Sequence, residues 1–173
     1  MTKKEVVRRA KNFCNKYSIK SYPVDIIKLC NQVGLKVFEE YLPAEVSGFI
    51  IIQNDSIPKY GINKVVVVNL QDSPTRRRFT IAHELAHFVL HRDESELLYA
   101  HRDAGQNNYI EQEANLFASN ILMPEELVKA ELSKCQHQYF GNIPNHIKTK
   151  YIANVFAVSE SAAAVRLSLL NVG

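Results

Sequence analysis

The stretch Phe79-Thr80-Ile81-Ala82-His83-Glu84-Leu85-Ala86-His87-Phe88-Val89-Leu90-His91 decides how the rest of the chain is read. It carries an H-E-x-x-H pattern inside an apolar run. Four residues of α-helix turn through about 400°, so His83 and His87 project about 40° apart and roughly 6 Å apart along the axis. Two imidazoles so placed can meet one tetrahedral zinc at about 2 Å each. Glu84 sits beside the first of them, placed to take a proton from water rather than to bind the ion. Five-residue matches of this kind also arise by chance in helices that bind nothing. Here, however, the flanks Ile81, Ala82, Leu85, Ala86, Phe88 and Val89 are apolar, and two histidines and a glutamate buried among them are costly unless partnered. A metal ion supplies the partners.

A catalytic zinc takes a third protein ligand and keeps one position for water. A metzincin would place glycine three residues and histidine six residues after the second histidine; this chain has Leu90 and Asp93 there, so that pattern fails. His91 lies about 12 Å along the axis from His83, which assigns it to the helix end rather than to the ion. The remaining candidates lie in Tyr109-Ile110-Glu111-Gln112-Glu113-Ala114-Asn115-Leu116-Phe117-Ala118, a second helix with Ala114, Phe117, Ala118 and Ile121 on its apolar side. Glu111 and Glu113 project about 200° apart, so only one faces the first helix at a given depth. The helical wheel does not choose between them, and either suits a solvated first turn.

Outward from this pair, residues 3–17 repeat Val6, Val7, Ala10, Phe13, Cys14 and Tyr17 at helical steps. A second helix is expected after Tyr22-Pro23, ending at Gly34. The middle of the chain reads as strands: Leu35 to Glu39, Gly48 to Gln53 and Lys64 to Asn69. Short links make an antiparallel three-stranded sheet the simplest arrangement. Further helices are predicted at 74–92, 108–122 and 124–135, with two shorter ones after Pro144 and polar loops at 93–108 and 136–145. The expected fold is α+β, a small sheet flanked by helices. At 173 residues it forms one domain: N-terminal helices 1–34, sheet and metal helices 35–135, and a helical segment 136–173.

Composition is that of an ordinary globular chain, 46% apolar and 23% charged, which excludes collagen-like, coiled-coil and disordered classes. A net charge of +3 is far from the basic footprint of a protein devoted to phosphate backbone. Cys14, Cys30 and Cys135 are odd in number and widely spaced, the pattern of idle thiols in a reducing compartment. No apolar signal core opens the sequence, and no run reaches the roughly 18 apolar residues that span a bilayer. The expectation is a cytoplasmic protein without membrane contact. The segment from Tyr151 to Leu167 has a helix-turn-helix cadence, capped by Ser159. It offers only Ser161, Arg166 and Ser168 to a groove, so packing against the rest of the domain is expected in place of DNA contact.

The order Gly48-Phe49, then Val66-Val67-Val68-Asn69, then Arg78-Phe79-Thr80-Ile81-Ala82-His83-Glu84-Leu85-Ala86-His87 resembles the ImmA/IrrE family of metallo-endopeptidases. So does Glu113-Ala114-Asn115-x-Phe117-Ala118 followed by Leu122-Met123-Pro124, and the likeness extends from about Pro23 to the C-terminal helices. Ala86 stands where the family usually has glycine. The resemblance implies a zincin-like, gluzincin-type domain holding one Zn²⁺. It implies His83, His87 and the glutamate directly before the Ala-Asn pair, Glu113, as ligands, and Glu84 as the catalytic base. It implies as substrate a helix-turn-helix repressor, cleaved at one site by an antirepressor of a phage, mobile element or stress regulon. Composition and spacing by themselves support only a zinc-dependent hydrolytic centre.

A donor for the tetrahedral oxyanion is also required, and Tyr60, Arg78, His101 and Tyr109 are the candidates. On this reading Glu113→Ala lowers zinc content and Glu111→Ala does not. The rival class is a zinc-containing binding module that sequesters a repressor or touches DNA without proteolysis. Such a module has no need of the base Glu84.

Overall fold

The computed structural model describes residues 1–91, 107–139 and 143–172. Helix α1, Lys3–Lys16, is capped by Thr2, whose hydroxyl accepts from the Glu5 amide at 3.2 Å, and it buries Val6, Ala10, Phe13 and Cys14. Helix α2, Ile26–Gln32, starts three residues beyond Pro23 because Asp25 supplies the cap, accepting from Lys28 N at 2.9 Å. Gly34 follows it at φ +85°, a left-handed position that favours glycine after a helix.

Strands β1 (Lys36–Glu40), β2 (Gly48–Ile57) and β3 (Ile62–Asn69) form one sheet in the order β1-β3-β2. β2 pairs antiparallel with β3, but β1 pairs parallel to it. The sheet is therefore mixed, and the expected all-antiparallel arrangement is corrected. Two features of the chain account for it. Val65 to Val68 are all fully buried, so β3 needs cover on both faces and a neighbour on both edges, which places it centrally. Residues 41–47 then cannot form a hairpin between neighbouring strands, and they arch over the end of β3. Buried Asn69 fastens that arch: its Nδ2 donates to the carbonyls of Leu42, Pro43 and Val46 at 3.3, 3.2 and 2.9 Å, and its Oδ1 accepts from Gln71 N at 3.1 Å.

Helix α3, Pro74–Leu90, begins with proline in its first turn behind the Ser73 cap. It lies on the inner face of the sheet, against Ile50, Val66 and Val68. Helix α4, Asn107–Leu122, packs beside α3 and under α1. Helix α5, Glu125–Tyr139, runs four residues past the expected end. Helices α6, Asn145–Phe156, and α7, Glu160–Leu169, turn through 111° at residues 157–159. There Ala157 adopts the left-handed conformation, and Ser159 accepts from Ala162 N at 3.2 Å.

The main core lies between the inner sheet face and the helices, centred on Phe117, Phe156, Leu85 and Ile121. A smaller cluster of Ile57, Val65 and Val67 lies on the outer face, under Phe38, Phe49 and Tyr60. Arg166, the cation that the helix-turn-helix cadence offers to a groove, is instead 3% exposed, with its Nε donating to Met123 O at 3.0 Å. The three cysteines are free and buried, and burial pushes the thiols of Cys14 and Cys30 up to about 11 and about 12. Among the described residues, no single helix is long and apolar enough to cross a membrane.

Candidate metal centre

Helix α3 carries both histidines and Glu84 on the side that meets α4 and an open cleft. The two imidazoles meet edge to face, with centroids 4.7 Å apart and Nε2 atoms 3.0 Å apart. From α4, Glu111 reaches across to both, one carboxylate oxygen 3.0 Å from His83 Nε2 and the other 3.3 Å from His87 Nε2. One donor atom from each of the three lies within 4.8 Å of the others. Two imidazole nitrogens and a carboxylate oxygen converging at this spacing are the donor set of a borderline-soft divalent ion. The residues present fit a zinc ion.

Asn115, one turn after Glu111, completes the arrangement from behind: its Oδ1 lies 2.9 Å from His83 Nδ1. With that oxygen accepting, Nδ1 carries a proton, so that an ion, when bound, would take its lone pair from Nε2. The carboxylate of Glu111 is held well below its ordinary range, first by its hydrogen bond with His83 and then by that with His87. Burial works to depress His83, but Glu111, Glu84 and Asn115 outweigh it and the net shift is upward. Burial dominates at His87, whose pKa falls.

Glu84 is 2% exposed, and its Oε2 has no hydrogen-bond partner among the described residues. Burial, reinforced by the nearby Glu111 charge and opposed by His83, pushes its pKa up to about 7. A carboxyl poised near neutrality beside a metal-ligand set is suited to accept a proton and return it.

The structure brings together His83, Glu84 and His87 as the H-E-x-x-H spacing predicts. It places Glu111, not the expected Glu113, against the two histidines, while Glu113 lines the cleft beside them. Glu113 pairs with the Met1 amino group and lies 3.7 Å from His91 Nε2. The 200° between the two glutamates allows one of them to face α3, and Glu111 does. Asn115 could have revealed this, since a residue at i+4 shares the face of Glu111, not that of Glu113.

The proposed oxyanion donors separate in the same way. Tyr60 stacks on Phe38 at 4.6 Å on the outer face of the sheet, and it does not line the cleft. Arg78 spends its guanidinium on Ala157 O and Val24 O at 3.1 and 2.9 Å, tying α3 to the α6–α7 turn. Tyr109 is 77% exposed on the cleft rim. His101 lies outside the described residues. Two residues that the spacing did not single out enter the site, Asn115 and the buried Ser119, both lining the cleft.

That cleft has a volume of about 1190 Å³. Phe79, Thr80, His83 and Glu84 form its floor, with α4 and α7 on one side and the start of β2 on the other. It is larger than the pockets that enclose most small ligands.

Comparison with known proteins agrees with this architecture. The chain is 36% identical over 76 residues to the radiation response metalloprotease IrrE of Deinococcus radiodurans, a stretch covering 42% of this chain and 23% of that protein. It is 36% identical over 74 residues to the radiation response metalloprotease IrrE of Deinococcus deserti, covering 40% and 26%. The chain thus spans about a quarter of the length of these curated relatives. A solved Mycobacterium tuberculosis transcriptional regulator shares the fold, with a TM-score of 0.60 at 20% identity over 95% of this chain and 46% of that one. The IrrE N-terminal-like domain matches residues 30–168, including both helices of the site, and with most of its length so matched the chain belongs to that family.

Proposed function

We propose that this chain is a zinc-dependent endopeptidase domain in which His83, His87 and Glu111 hold the ion and Glu84 is the general base. The observation that carries this reading is the convergence of the two Nε2 atoms and the Glu111 carboxylate in a polypeptide-sized cleft, beside a buried Glu84 oxygen with no hydrogen-bond partner among the described residues. Family membership and the names of the two metalloprotease relatives support it.

A zinc ion bound there would act as a Lewis acid toward the scissile carbonyl and acidify water. Glu84 takes the proton from the attacking water and delivers it to the leaving amine nitrogen. Its raised pKa makes both transfers accessible near neutral pH. Asn115 fixes the ring of His83. Tyr109, exposed on the cleft rim, is the donor best placed for the developing oxyanion. The substrate class is a protein, and a helix-turn-helix repressor fits the resemblance borne by the two motifs.

Incubation of the zinc-loaded chain with such a repressor, with and without a chelator, tests the reading. Cleavage should stop with chelator. It should fall by at least about 10²-fold in Glu84→Gln, while that variant keeps its zinc by elemental analysis. Glu111→Ala should lose zinc, and Glu113→Ala should keep it. Undiminished cleavage by Glu84→Gln, or chelator-insensitive loss of repression with the repressor intact, would overturn the assignment in favour of a binding module.

A further inference from the structure

Helix α7 shows two different sides. Ala163, Arg166 and Leu167 are buried against the core. The opposite side presents Ser161, Ala162, Val165 and Leu169 to the cleft, within about 100° of arc on the helix. Val165 and Leu169 are 60% and 51% exposed. The helix is already anchored through its other side and Ala162, which leaves Val165 and Leu169 exposed. On the same side, α4 adds half-buried Leu116 and buried Ser119, whose Oγ has no hydrogen-bond partner among the described residues. All these side chains line the same cavity as His83 and Glu84. An apolar wall with one deep, unsatisfied hydroxyl is the composition of a binding subsite, where apolar surface supplies contact and a few polar groups fix orientation.

We propose that the α4–α7 wall, carried by Val165, Leu169 and Leu116, is a specificity subsite. It takes an apolar side chain of the substrate polypeptide next to the scissile bond, while Ser119 Oγ hydrogen-bonds that segment's backbone. The proposal rests on the endopeptidase reading and names what that site selects. The occupant is a polypeptide because the wall is continuous with the candidate catalytic floor, and a side chain lying on it belongs to a chain crossing His83 and Glu84. No charged side chain of α7 faces the cleft to favour a polar occupant.

Cleavage of a peptide library prepared from a bacterial proteome, with sites read by mass spectrometry, tests this. Wild type should cut beside Leu, Met, Phe or Val. V165E and L169E, both at exposed positions, should lose about tenfold in kcat/KM for those peptides and gain cleavage beside Lys. Ile27→Glu, also at an exposed position, on α2 and outside the cleft, should leave the preference unchanged. Cleavage with no apolar preference, or a preference unmoved by V165E and L169E, overturns the subsite. So does a change of oligomeric state in V165E with unchanged preference, which would make the wall a contact between copies.

If wild type cuts nothing, the endopeptidase reading fails, and binding decides the subsite separately. Fluorescein-labelled Ser-Gly-Ala-Leu-Ala-Gly-Ser should then bind about tenfold tighter than its Lys counterpart by anisotropy, with V165E reversing the order. Equal binding of both peptides overturns it.

Discussion

The 2.9 Å contact between His83 Nδ1 and Asn115 Oδ1 puts an acceptor behind one of the two imidazoles of the proposed zinc site. It keeps a proton on Nδ1, and so leaves Nε2 as the nitrogen that a bound ion would use. Groups in this position are commonly worth about 10–100-fold in metal affinity. Asn115→Leu should weaken zinc binding by that amount in competition with a chromophoric chelator, and Asn115→Asp, which keeps the acceptor, should restore it. Glu84 makes a different prediction. In the metal-free protein its pKa stands near 7 against an ordinary 4.5, so the folded state holds a proton that the unfolded chain releases. Stability from this carboxyl is therefore present below about pH 4.5 and is lost as pH rises through about 7. Glu84→Gln removes the penalty. The metal-free variant should be more stable than metal-free wild type at pH 8, by up to about 3 kcal/mol, with no advantage at pH 4. Equal gains at both pH values in thermal melts would contradict the burial argument.

Between elements, the decisive contact is that of α3 with the sheet. A Cβ built on Gly48 would stand 2.6 Å from Val67 O and 2.7 Å from Thr80 Cγ2. β2 therefore lets α3 approach only because this position has no side chain. That approach sets the depth of the cleft floor, since Thr80 is one turn before Glu84. Gly48→Ala should cost about 1–3 kcal/mol in denaturant unfolding. Adding Thr80→Ser should recover only part of the loss, because the Val67 carbonyl cannot retreat as a methyl can. The buried pairing of α5 with α6 works in the same way without a role in the cleft. Glu131 accepts from Tyr151 Oη at 2.8 Å and from Tyr22 Oη, which joins the loop before α2 to both helices.

For the whole molecule, the site joins α3 and α4 from opposite sides of an unresolved charge balance: two imidazoles and two carboxylates share one buried region. An ion bound there stabilises the fold by mass action, about 2.7 kcal/mol at a hundredfold excess over Kd. That corresponds to a rise of about 5–10 °C in Tm for a chain of this size. Zinc should produce this shift in wild type, and Glu111→Ala should abolish it. The sequence by itself determined the α+β class, the helices around the site and the pairing of His83 with His87. These follow from local periodicity, caps and spacing, which are short-range and written directly in the chain. Even the central place of β3 is implied by four consecutive valines. Three things were decided only by tertiary structure. The direction of β1 depends on an arch fastened by Asn69, a contact between the end of one strand and a loop more than twenty residues earlier. The choice of Glu111 over Glu113 depends on how α4 is rotated against α3, which its apolar side constrains without fixing. The roles of Tyr60 and Arg78 depend on which face of the sheet or which turn each one meets. In each case the residue types permit more than one partner, and packing of distant segments selects one of them.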